Sequence, residues 1–159
     1  MAAMTNILVK DDANPLVEQT LIPISDTPSP YWRGSVAGVP LDGQIRVWMT
    51  SEKVKSGAYK LTLKVEVPTM ETLGASGTSA GYVAPPKVAY VSTVFVTLFA
   101  DARSTNADRY NAVKMAVGII QGASSTTATG VLSQSSAADA WKASVLPGPL
   151  FFGQLVVPN

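Results

Sequence analysis

The sequence predicts an α+β chain in which an antiparallel sheet is laid down first and helices follow. Residues 57–68, GAYKLTLKVEVP, alternate without a break: Leu61, Leu63, Val65 and Val67 fall on one side, Lys60, Thr62, Lys64 and Glu66 on the other. Side chains change face at every residue of a strand, so this segment is a strand with one apolar and one polar face. The pattern recurs in GQIRVWMT, where Ile45, Val47 and Met49 alternate with Arg46, Trp48 and Thr50. It recurs again in KVAYVSTVFVTLF, where Val94, Val96 and Leu98 alternate with Thr93, Phe95 and Thr97. Beyond residue 104 the apolar period becomes helical. Strands first and helices last imply helices packed on one face of one sheet.

From the N-terminus, TNILVK (5–10) and LVEQTLI (16–22) read as two short strands joined by the turn DDANP, so residues 1–22 form an N-terminal hairpin. PISDTPSP (23–30) is a proline-punctuated connector. A third strand is expected within YWRGSVAG (31–38), although Gly34 weakens a strand. VPLDG is a turn before the strand at 43–50, SEKVKSG leads to the strand at 58–67, and Pro68 is expected to end it. Residues 69–87 are a long Gly/Ser/Ala/Pro loop, of a kind that is usually functional or mobile: either a floppy hairpin tip or a loop that becomes ordered only when it meets other copies of the chain. Residues 88–100 complete the sheet, which thus spans 31–100.

From Thr105 to Gln121, Ala107, Tyr110, Val113, Ala116, Val117 and Ile120 follow helical spacing. Ser104 or Thr105 can cap this helix, Asp108 suits the positive end of its dipole, and Gly122 can stop it. A second helix is expected within 134–145, so helices occupy 104–145 and an apolar extension follows at 146–159. Two helices are few for a sheet of five or more strands. A partner chain would supply the missing cover.

All 159 residues fit a single domain, and with 47% hydrophobic and only 14% charged residues the chain is too apolar for disorder. No apolar run is long enough to span a membrane, and MAAMTNILVKDD lacks the pattern of a signal peptide. There is no histidine and no cysteine. This removes the commonest general base, the commonest metal ligands and the thiol or Ser-His-Asp nucleophile arrangements. Neither an enzyme nor a cofactor is expected. The net charge is only +1, yet between Gly43 and Lys64 five cations (Arg46, Lys53, Lys55, Lys60, Lys64) face Glu52 alone. Such charges either solubilise an exposed strand face and edge or form a polyanion-binding surface, where the local field matters more than net charge.

The KVEVP strand ending, the Gly/Ser loop, the strand AYVSTVFVTLF and the helix opening STNADRYNAVK resemble, in this order, segments of the coat proteins of small single-stranded RNA bacteriophages, the levivirus-like group. Residues 43–122 carry the resemblance. It implies an N-terminal hairpin, a five-stranded antiparallel sheet and two C-terminal helices. It also implies an interlocked dimer, each chain laying its helices over the other's sheet to make ten continuous strands. Dimers of this kind build an icosahedral shell whose inner face binds genomic single-stranded RNA, including an operator or packaging hairpin. The expected location is the virion, assembled in the bacterial host cytoplasm.

The partners implied are the chain itself and single-stranded RNA, with no membrane and no small-molecule substrate. The RNA-binding residues implied are Arg46, Trp48, Thr50, Lys60, Thr62, Lys64, Thr93 and Phe95. Lys60, Thr62 and Lys64 keep the family's residue types, Arg46 stands where a lysine is common, and Thr50 where a small hydroxyl is common. Trp48 replaces a small polar residue, Thr93 an aromatic that stacks on a base, and Phe95 an amide. Cations beside aromatic rings are the ingredients of single-strand recognition. The alternative is a soluble β-rich binding module that uses this face for a carbohydrate or protein ligand.

Overall fold

Alternation becomes strand pairing in a computed structural model, which describes residues 4–13, 15–71 and 86–121. The strands are β1 (Ile7–Lys10), β2 (Glu18–Ser25), β3 (Tyr31–Gly34), β4 (Arg46–Lys53), β5 (Tyr59–Met70) and β6 (Val88–Ala100), followed by helix α1 (Asn106–Gln121). All six strands form one sheet in the order of the sequence. The hairpin is therefore not separate from a five-stranded sheet. Its second strand pairs with β3, Leu21 opposite Gly34 and Pro23 opposite Trp32. The helix expected within 134–145, most of the loop at 69–87 and the extension at 146–159 lie outside the described residues.

Three strands outrun the expected ones, β4 to Lys53 instead of Thr50 and two others at prolines. β2 continues through Pro23 because its pairing to β3 slips between Pro23 and Ser25, and such irregularities tolerate a residue without an N–H. β5 continues through Pro68 to Met70. Its ladder to β4 ends at the Arg46–Glu66 pair, so Pro68 interrupts no hydrogen bond there. β3 lies within the expected 31–38 and stops at Gly34.

By contacts the chain divides into two units, one of Met1–Leu8 with Thr20–Phe99, the other of Val9–Gln19 with the chain from Ala100 onward. In the first unit Leu21, Trp32 and Val47 are buried, with Met4, Ile7, Ile45, Leu63 and Val65 packed on them. The registers explain the grouping. Trp32 lies opposite Val47, and Val47 opposite Val65, so apolar side chains line up on one face. The Trp32 indole N–H donates to the Thr5 carbonyl at 2.9 Å, which satisfies its one polar atom. Farther along this face the cover ends: Met49, Leu61, Val67, Val94 and Val96 are 37–48% exposed.

A buried amide joins β3 to β4. Gln44 is 4% exposed, and its Nε2 donates to the Val36 and Val39 carbonyls at 2.8 and 2.9 Å while its Oε1 accepts from the Val36 N–H at 3.0 Å. Gly34 makes the room, since a Cβ there would stand 3.0 Å from Gln44 Oε1. Gln44→Leu leaves these backbone groups unpaired and is expected to cost about 2 kcal/mol or more. A denaturant midpoint equal to the parent's would show that the amide does not hold the 35–43 loop.

The second unit contains a tight turn and the helix. Asp11 Oδ1 accepts from the Ala13 and Val17 N–H groups at 3.1 and 2.9 Å, and Oδ2 accepts from Gln19 Nε2 at 3.1 Å. In α1, Thr105 is the cap: its Oγ1 accepts from the Asp108 N–H at 3.2 Å, and Asp108 Oδ2 accepts from the Thr105 N–H at 2.9 Å. This is a reciprocal capping box with Asp in the acidic place. The Thr105 hydroxyl, and after it the Thr105 N–H, hold the Asp108 carboxyl below the usual carboxylate range. The cap is thus at full strength above the ordinary carboxylate pKa and fades as the pH falls through the lowered one. Besides the stripe expected for α1, Met115 and Ile119 make a second apolar side. Tyr110 is 74%, Met115 62% and Ile119 67% exposed, and their positions fall on opposite sides of the helix.

Candidate nucleic-acid interface

Directly opposed residues in an antiparallel ladder share a face. Between β4 and β5 the pairs are Arg46 with Glu66, Trp48 with Lys64, Thr50 with Thr62 and Glu52 with Lys60. The structure thus brings Arg46, Trp48, Thr50, Lys60, Thr62 and Lys64 onto one face, opposite to the buried core. β3 adds Tyr31 opposite Trp48 and Arg33 opposite Arg46. β6 joins on the other side: Thr97 Oγ1 lies 3.4 Å from Thr62 Oγ1, and Lys64 Nζ is 5.8 Å from the centre of the Phe95 ring.

Trp48 is the centre of this face. Its ring stacks on Tyr31 with centroids 5.0 Å apart and planes 20° from parallel. Lys64 Nζ stands 4.7 Å from the Trp48 ring centre, within cation–π range. Trp48, Thr50, Thr62, Lys64 and Phe95 line an open depression of about 230 Å³. Two aromatic rings, two hydroxyls and one ammonium near both rings line it. Such a surface can stack a planar group and hold an anion beside it.

The charge is less one-sided than the sequence window implied. That window ended at Lys64 and so left out Glu66, whose Oε1 lies 2.5 Å from Lys64 Nζ and whose Oε2 lies 3.0 Å from Arg46 Nε. The Arg46 contact is close enough to attract but is not aligned as a hydrogen bond. Lys60 is 3.6 Å from Glu52. Lys53 pairs opposite Tyr59 and so belongs to the other face. Across β3, β4 and β5 the face therefore carries four cations (Arg33, Arg46, Lys60, Lys64) against two carboxylates (Glu52, Glu66), a net +2.

Thr93 is exposed on β6, and alternation puts it on the side of Phe95. Phe95 itself is 62% exposed in the single chain. Sequence reasoning did not assign Tyr31 or Arg33 to this face. The strand YWRG carried both, but only the β3–β4 register shows which of its residues stand beside Trp48.

The comparisons bear on what this face belongs to. Residues 2–138 match the family model for the levivirus coat protein. The chain belongs to the levivirus coat protein family. Over 116 residues, 72% of this chain and 82% of the relative, the coat protein is 32% identical to the capsid protein of Pseudomonas phage PRR1. Its fold matches the bacteriophage EMS014 coat protein with a TM-score of 0.83 and 46% identity, over 99% of this chain and all of that one. A virus-like particle of the same phage matches at 47% identity, with a TM-score of 0.84 and the same coverage. Membership makes this levivirus coat protein a structural component of a viral capsid and not an enzyme.

Proposed function

We propose that this coat protein assembles from interlocked dimers into an icosahedral shell around single-stranded RNA, and that the face centred on Trp48 is the inner, RNA-binding one. The observation that carries the RNA reading is the meeting of Lys64 with the Trp48 and Phe95 rings, flanked by Arg46. An ammonium beside open aromatic faces gives a phosphate and a base adjacent places to rest, which is how single strands are held. Thr50, Thr62 and Thr93 supply hydroxyls for base or sugar groups, and Lys60 adds charge at the far end. An operator or packaging hairpin would dock here, its unpaired bases on the rings. Support for assembly comes from the EMS014 virus-like particle at 47% identity. Support for the dimer comes from the uncovered apolar side of the sheet and from α1, apolar on two sides. Residues 1–159 act as one coat-protein domain, and the product is a virion component assembled in the bacterial host cytoplasm.

Expression of the chain alone tests this reading. The purified protein is expected to elute as megadalton particles that protect host RNA from nuclease. Elution as a small oligomer free of RNA would overturn the reading of assembly around RNA.

A further inference from the structure

β3 and β4 place Arg33 directly opposite Arg46. Like charges directly opposed across a ladder destabilise it, so two guanidiniums there call for an anion. Arg46 has Glu66, but Lys64 shares that same carboxylate. On its other side Arg33 faces Ile22 of β2, which has no charge to offer. Among the described residues Arg33 has no ion-pair partner. Its Nε is buried without a hydrogen bond.

We propose that Arg33 and Arg46 form a clamp for one phosphodiester group of the bound RNA strand, so that Arg33 is an RNA-binding residue in its own right. The inference rests on the reading of this face as the RNA surface. A guanidinium presents a planar fork that matches two phosphate oxygens, and an anion between two forks turns their repulsion into attraction. The half-buried position strengthens the contact relative to open solvent. The clamp is also correctly placed. The next pair on the same face is Tyr31 with Trp48, one two-residue step or about 6.8 Å along the strands. A phosphate at the arginines therefore sits next to the stacked rings where a base would lie.

The test uses the full chain stripped of nucleic acid and a single-stranded oligoribonucleotide, titrated over a series of salt concentrations. Arg33→Gln is expected to weaken binding about tenfold at low salt. It should also reduce the slope of log affinity against log salt by about one, the signature of a lost phosphate contact. Arg33→Lys keeps the charge without the fork, so it should retain the parent's slope with reduced affinity. The RNA-free Arg33→Gln protein should unfold no earlier than the parent, because the substitution removes a like-charge pair. Parent affinity and slope in Arg33→Gln, with Lys64→Ala weakened, would overturn the clamp and leave the RNA face standing. A loss of particle yield at unchanged RNA affinity would also overturn it, assigning Arg33 to a carboxylate on a neighbouring copy. Failure of the parent itself to bind would remove the RNA reading and the clamp together.

Discussion

A chain carrying both Val117→Asp and Ile120→Asp is expected to accumulate as insoluble or unfolded material, with no folded monomer in solution. Val117 and Ile120 lie on one side of α1 with Tyr110, and Met115 and Ile119 lie on the other. Three of these five side chains are more than 60% exposed in the single chain. A helix apolar on both sides is a helix built to be covered on both sides. The sheet presents the complementary need, with Met49, Leu61, Val67, Val94 and Val96 uncovered. Interlocked partners meet both needs at once, and obligate interfaces of this kind bury roughly 2,000–5,000 Å² with core-like packing. A carboxylate forced into such an interface loses its water and gains no cation, at a cost of several kcal/mol per charge. Sedimentation and far-UV circular dichroism decide the matter. A soluble, folded monomer from the double variant would sink the interlocked dimer.

The next largest effect is expected at the RNA surface. Trp48→Ala removes the ring that Tyr31 stacks on and that Lys64 overlies, and it should weaken RNA binding by about 1–3 kcal/mol if a base rests there. Lys64→Ala should lower affinity for all RNA sequences alike and flatten the salt dependence, because a phosphate contact releases counterions whatever the base. The Glu66 carboxylate held 2.5 Å from Lys64 sharpens this expectation. In the free protein RNA must compete with Glu66 for the ammonium, so the Lys64 contribution is the net of an exchange and not the full strength of a bare charge. Affinities of assembly-blocked protein at two salt concentrations provide the measurement. Parent-like binding by both variants at both concentrations would place the RNA surface elsewhere on the chain.

The sheet was legible because alternation is a local signal. β4, β5 and β6 each carry one apolar and one polar set, and the structure puts each set on a face of its own. Strand ends were less legible, since Pro23 and Pro68 stop a strand only where their missing N–H would have been used, and that depends on a neighbour's register. The site divides in the same way. Arg46, Trp48, Thr50, Lys60, Thr62 and Lys64 share a face by periodicity alone. That Glu66 is shared by Arg46 and Lys64, that Tyr31 stacks on Trp48 and that Arg33 opposes Arg46 are facts of pairing, which no single strand's sequence encodes. The helix start was legible for the converse reason: the Thr105–Asp108 box closes within four residues. The second apolar side of α1, Met115 and Ile119, was legible too, since the two stand four residues apart, but it was not counted with the first stripe.

β6 stands last in the sheet order and runs for thirteen residues, VAYVSTVFVTLFA, without a charge or a proline. Natural edge strands are commonly blunted by lysine, proline or brevity, and this one has none of these guards. Among the described residues no strand pairs with its outer edge, which leaves a template for a strand of another copy. The outcome becomes a race between two second-order encounters, with a matching copy or with a mismatched one. Stability measured for this protein will then depend on how much of it is in the tube. Dilution should lower the unfolding temperature. Slow, sparse synthesis should favour clumping with foreign chains, whereas many ribosomes working close together on one message would supply the matching strand soonest.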